Sequence, residues 1–162
     1  TVMLPYIQSL NLPNLCIATP DVGGSKRAAS YAKYLGCPMV LCNKSRKKAN
    51  EVDSMQIIGE VEGMDVILVD DIVDTAGTIT KAADLIMAGG AKSVRAIASH
   101  CIMSGPADQR VDDSALVEMV FTDSIPYHGN SKKVKQISVS GMLAETIRRV
   151  MDNESISSQY LI

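Results

Sequence analysis

"VILVDDIVDTAGTI" occupies residues 66–79 and joins two patterns that seldom sit together. Four apolar residues lead straight into Asp70 and Asp71, and Asp74, Thr75, Gly77 and Thr78 follow within one more turn of chain. An uninterrupted apolar run of this length suits a strand buried on both faces, the state of strands in a helix-covered parallel sheet. Behind it, Ile79, Ala82, Ala83, Ile86 and Met87 recur at helical spacing, and Gly89 and Gly90 supply a stop. The stretch therefore reads as central strand, acidic turn, helix.

The same alternation extends outward. "LCIAT" (15–19) reads as a strand ended by "PDVGG", and "SKRAASYAKYLG" as a helix carrying Ala28, Ala29, Ala32 and Leu35 on one face, with Gly36 as its stop. "PMVLC", "MQIIGEV", "SVRAIASH", "LVEMVFTD" and "VKQISVS" read as further strands. A short helix follows "SGPADQRVDDS", and "GMLAETIRRVMDN" is an amphipathic helix with Met142, Leu143, Ile147, Val150 and Met151 as its stripe. Residues 43–55, "NKSRKKANEVDSM", lack apolar periodicity and read as a long exposed loop. The pattern predicts an α/β fold, a mostly parallel central sheet flanked by helices, in one domain over residues 1–162. The opening "TVMLPYIQSLNLPN" offers one weak helical turn and reads as the tail of something, so the chain is expected to begin at a domain boundary.

Composition narrows the partners. With 46% hydrophobic residues but only 4% aromatic and no Trp, the core must be built from aliphatic side chains. A net charge of -2 disfavours nucleic acid as a partner, and no apolar run is long enough to span a bilayer. Cys16, Cys37, Cys42 and Cys101 lie in apolar runs with no CxxC pair, so they read as small core residues in a reducing, cytoplasmic setting.

Ligands of parallel α/β sheets sit beyond the carboxyl ends of the strands. Three polar segments end strands here: "TPDVGG", "CNKSRKK" and "VDDIVDTAGT". The "DTAGT" turn opens a helix, whose free N–H groups and dipole suit a phosphate; the same residues would also serve as a plain cap through Asp74 or Thr75. Asp70 and Asp71 suit the two hydroxyls of a sugar, or Mg²⁺ held through water. Asp21 reads from its position as a turn or cap residue. His100 reads as structural and His128 as an exposed loop residue. No GxxxxGK followed by Ser or Thr is present, nor any GxGxxG.

"VILVDDIVDTAGT" resembles the phosphoribosyl-diphosphate motif shared by type I phosphoribosyltransferases and ribose-phosphate diphosphokinases. "NKSRKKANEVDSM" resembles the flexible catalytic loop of the diphosphokinases, with Lys44 and Arg46 two residues apart. "TPDVGGSKRA", "ASHCIMSGPA" and "MLAETIRRVMDNESIS" also match that family. The resemblance implies transfer of the diphosphoryl group of ATP to the 1-hydroxyl of ribose 5-phosphate. It implies Lys44 and Arg46 as catalytic cations, with Arg46, Asp70, Asp71, Asp74, Thr75, Ala76, Gly77 and Thr78 on ribose 5-phosphate. Asp21, Val22, Gly23 and Gly24 would form the pyrophosphate loop, Asp21 would hold Mg²⁺, and Ser155, Ser157 and Ser158 would face a regulatory phosphate. Alternatives are a type I phosphoribosyltransferase and a non-catalytic regulatory subunit of the synthetase complex.

Enzymes of that family are about twice this length and pair two similar α/β domains, and the resemblance covers only the C-terminal one. It also implies homo-oligomers, hexamers built from dimers. A chain lacking the N-terminal domain is expected to bind ribose 5-phosphate weakly and not to turn over.

Overall fold

Backbone pairing explains why the apolar runs stack as they do. The computed structural model describes residues 2–45 and 54–160. Among these, seven strands form one sheet: β1 (Leu15–Thr19), β2 (Met39–Ser45), β3 (Ser54–Ile58), β4 (Asp65–Val73), β5 (Ser93–Cys101), β6 (Leu116–Thr122) and β7 (Val134–Ile137). Their order is β3-β2-β1-β4-β5-β6-β7, with every pairing parallel except β2 with β3. The α/β reading of the sequence holds. The order reverses between β1 and β4, the point at which ligand crevices form in open α/β sheets.

Helices α1 (Met3–Ser9), α2 (Ser25–Leu35), α3 (Gly77–Ala88), α4 (Ala107–Asp113) and α5 (Ser140–Met151) complete the fold, with a 3-10 turn at Ser157–Gln159. β4 is buried continuously from Asp65 to Val69, so it shows no alternation. Val66 and Leu68 pack with Ile79, Ala83 and Ile86 of α3 on one face. Ile67 and Val69 pack with α1 and α2 on the other. Two covered faces are what turn this strand into an oily run.

Three local readings are corrected. The first residues form a seven-residue helix whose Met3, Leu4 and Ile7 enter the core, not a loose tail. Residues 43–45 and 54–55 are not loop. They extend β2 and β3 as an antiparallel pair, Asn43 opposite Gln56 and Lys44 opposite Met55, because ladder hydrogen bonds need no apolar periodicity. In α2, Ala29 is exposed and Tyr31 takes its place in the core with Ala28 and Ala32.

Helix α5 is amphipathic as expected, yet none of its residues is buried, and Leu143, Ile147, Val150 and Met151 stand at least half exposed. Cys16, Cys42 and Cys101 are buried, Cys37 is partly so, and all four are free thiols. Among the described residues no helix is long and apolar enough to cross a membrane.

Candidate functional site

β4 outruns its neighbour. Pairing with β1 ends at Leu68 opposite Ala18, whereas pairing with β5 continues to Val73 opposite Cys101. The overhang lifts Asp70 and Asp71 clear of the core, and burial falls away over residues 70–72 before Val73 is buried again. A cleft of about 280 Å³ opens there. Asp21 lines it from the β1–α2 turn, Asp70 and Asp71 from β4, and residues 74–78 from the start of α3. Two segments far apart in sequence thus meet at one strand edge.

The acid pair is asymmetric. Burial pushes the Asp70 carboxyl up to about 6, and the charges of Asp71 and Asp21 add to it. Burial also works against Asp71, but its hydrogen bond with Asp70 and the nearby Arg27 outweigh it and hold it low. Arg27 of α2 reaches both, 3.7 Å from Asp70 Oδ1 and 3.0 Å from Asp71 Oδ2. Two adjacent carboxylates at a strand edge therefore act as one acidic unit that is ionised at neutral pH and takes up its first proton at Asp70, near pH 6.

The turn 74–78 is not a side-chain cap. Helix α3 starts at Gly77, and its N-cap is Ala76 in the left-handed region at φ 60° with no capping side chain. The cap reading for Asp74 or Thr75 is thereby corrected. Asp74 instead accepts from the Ser104 hydroxyl, and its carbonyl accepts from Ser104 N–H at 2.9 Å. No side chain caps the start of α3, and its first residues line the cleft, the arrangement of an anion site at a helix start.

Asp21 Oδ1 accepts from the Gly24 N–H at 3.1 Å, so it does serve the turn as its position suggests. Gly24 is required by contact: a Cβ there would stand 2.3 Å from Thr19 Oγ1. Val22 is exposed on the same turn. Among the described residues no three acidic, His or Cys groups converge as a metal cage. The cleft does offer hard oxygen donors, which fits Mg²⁺ bound by one or two carboxylates together with substrate phosphates.

Lys44 lies in β2, with its side chain outside the described part, and Arg46 lies outside the described residues. Ser155, Ser157 and Ser158 do not line the cleft. The Ser155 carbonyl and the Ser158 hydroxyl both receive hydrogen bonds from Arg149, at 3.0 Å each. His100 bonds Ser124 Oγ at 2.9 Å, in keeping with a structural role, and His128 is exposed.

Sequence reading missed two cations. Arg27 sits in "GGSKRA", where its reach to β4 depends on how α2 packs. Arg110 of α4 donates to the Thr75 carbonyl at 2.8 Å across 35 residues of chain, and no spacing signals that.

The family model described as "Phosphoribosyl synthetase-associated domain" matches residues 42–161. The chain belongs to this family. A ribose-phosphate pyrophosphokinase of Porphyromonas gingivalis is 62% identical over 99% of the chain and 51% of the relative. One from Wolinella succinogenes is 47% identical over 99% of the chain and 52% of the relative. The chain of this phosphoribosyl synthetase-associated family member spans about half the length of the curated relatives it matches. A phosphoribosylpyrophosphate synthetase structure from Mycobacterium smegmatis superposes with a TM-score of 0.83 at 31% identity, over 93% of this chain and 50% of that one. An adenine phosphoribosyltransferase from Thermoanaerobacter pseudethanolicus gives 0.53 at 26% identity, over 74% and 75%.

Proposed function

We propose that this chain is the ribose 5-phosphate-binding domain of a ribose-phosphate diphosphokinase, placed in the C-terminal half of its parent. The carrying observation is the cleft in which the Asp70–Asp71 pair and the start of α3 stand side by side. A ribose phosphate brings a vicinal diol for the acids and a dianion for the helix start. The similarity to pyrophosphokinases along the whole chain supports this reading over a phosphoribosyltransferase.

In the parent, the 1-hydroxyl of ribose 5-phosphate attacks the β-phosphorus of ATP. A new O–P bond forms, the bond from the β-phosphorus to the α–β bridging oxygen breaks, AMP leaves, and the hydroxyl proton passes to solvent. Asp70 and Asp71 hold the sugar, and residues Asp74, Thr75, Ala76, Gly77 and Thr78 hold the 5-phosphate. Asp21, with Val22, Gly23 and Gly24, faces the pyrophosphate. Asp21 would hold Mg²⁺, which would supply positive charge against the phosphates. Lys44 and Arg46 supply cations to the transferring group, and Arg46 also contacts ribose 5-phosphate. Ser155, Ser157 and Ser158 take a regulatory phosphate. The parent works as a cytoplasmic homo-oligomer.

Calorimetry with this chain tests the reading. Ribose 5-phosphate should bind measurably and ribose or ATP far more weakly, with no AMP formed. Absence of ribose 5-phosphate binding at millimolar concentration overturns the site. Steady AMP formation by the chain alone overturns the division of labour.

A further inference from the structure

The cradle at residues 74–78 is built on a conformation that disfavours itself. Ala76 carries a side chain at φ 60°, a region costing roughly 1–2 kcal/mol for a residue with a Cβ. Such a residue persists only when its surroundings over-determine it. Here the first three carbonyls of the turn are each engaged by a donor from elsewhere in the chain. Asp74 O accepts from Ser104 N–H at 2.9 Å, Thr75 O from Arg110 Nη1 at 2.8 Å, and Ala76 O from the Thr80 hydroxyl at 2.8 Å.

A trans peptide is planar, so its N–H points opposite to its C=O. Tying back the carbonyl of Thr75 therefore aims the Ala76 N–H the other way. Of the three ties, the one at Ser104 comes from the loop before α4 and the one at Thr80 from α3 itself. The middle tie, on the peptide that precedes the left-handed residue, is made by an exposed arginine of α4. The same guanidinium stands 3.4 Å from where a Cβ on Gly77 would lie, so it also sits against the first helical residue. Its charge matters as well, because Asp21, Asp70, Asp71 and Asp74 all line the cleft into which a phosphate dianion must come.

We propose that Arg110 is a positioning residue for the 5-phosphate: it locks the Thr75–Ala76 peptide plane and so presents the Ala76 N–H to the phosphate. The inference rests on the ribose 5-phosphate reading and deepens it. Without Arg110 the peptide is free to rotate and release the left-handed strain, and the cradle loses an aimed donor before the ligand arrives.

The test is ribose 5-phosphate binding by the whole chain, read by calorimetry and by the Ala76 amide resonance in ¹H–¹⁵N spectra. Arg110→Ala and Arg110→Met remove the donor, and each should weaken binding about tenfold, the usual scale of one charge-assisted hydrogen bond. Both should also abolish the ligand-induced shift of the Ala76 amide. Arg110→Lys keeps a charged donor on a long side chain and should stay within about threefold of the wild type. A merely structural role would not separate Lys from Met in this way. If Arg110→Ala does not fold, Arg110→Met decides. Binding by either variant within twofold of the wild type, with the Ala76 shift intact, overturns the role of Arg110 while leaving the site standing. A wild-type chain that binds no ribose 5-phosphate overturns the functional reading and this inference together.

Discussion

Arg27 of α2 spans the acid pair of β4, with one guanidinium nitrogen 3.0 Å from Asp71 Oδ2 and the other 3.7 Å from Asp70 Oδ1. The cation stabilises two carboxylates that backbone continuity forces to be neighbours. It also ties the helix after β1 to the strand end where the cleft opens. Removing it leaves the pair to compensate by binding a proton more tightly. In Arg27→Ala, the Asp71 titration should move upward, because Arg27 is one of the groups that hold its carboxyl low. Carboxyl ¹³C chemical shifts against pH would read this, and an unmoved midpoint would contradict the electrostatic role of Arg27.

Ribose 5-phosphate binding should weaken as pH falls below about 6, where Asp70 takes up its proton and loses acceptor capacity. The ligand's phosphate titrates near the same pH, so Asp70→Asn is the needed comparison. That variant should bind more weakly at pH 7.5 and show only the shallower pH dependence of the phosphate. Parallel pH curves for the two proteins would argue against Asp70 as a ribose acceptor.

Stability should move the other way. Asp70 has a folded-state value raised above its unfolded one, so its ionisation opposes folding. Its contribution is intact below about pH 4 and is lost as pH rises through about 6. Asp70→Asn should therefore be more stable than the wild type at pH 7, by about 2 kcal/mol, with the advantage fading toward pH 4. Urea unfolding at several pH values measures it.

Glu118 anchors α1 from the opposite end of the sheet. It accepts from Tyr6 of α1, from Arg95 Nε at 3.2 Å and from Lys135 Nζ at 2.6 Å. Burial alone would raise its carboxyl, but the hydrogen bonds from Lys135 and Tyr6 hold it below the usual range. Its stabilisation is present above its unfolded value and is lost as pH falls through the lowered folded one. Glu118→Ala leaves the part-buried Arg95 without a carboxylate, with the Ser93 hydroxyl beside it, and should cost about 3 kcal/mol, against about 1 kcal/mol for Tyr6→Phe. Equal costs in urea unfolding would mean that Tyr6 is the anchor.

Gly24→Ala should cost about 2 kcal/mol by overpacking, since the new methyl meets Thr19 Oγ1 at 2.3 Å. Thr19 is fully buried and bonds the Asp21 carbonyl at 2.9 Å, so relief of the clash must distort the turn that carries Asp21. Weakened Mg²⁺-dependent diphosphate binding by the variant, alongside a lowered melting temperature, is the expected pair of results.

By itself the sequence determined the layout of this chain. Apolar runs bounded by Gly and polar turns announced the strands, helical spacing announced the helices, and "VDDIVDTAGT" announced an acidic turn at a strand end, because those signals are local and repeat along the backbone. It misjudged α1, whose apolar side chains look weak until a sheet face is there to receive them. It also misjudged residues 43–45 and 54–55, whose pairing depends on a partner strand and not on their own pattern. The tertiary structure alone decided that Arg27 bridges the acid pair and that Arg110 reaches Thr75. Those relationships join residues tens of positions apart through the packing of α2 and α4 on the sheet. No periodicity in the chain encodes a contact of that kind.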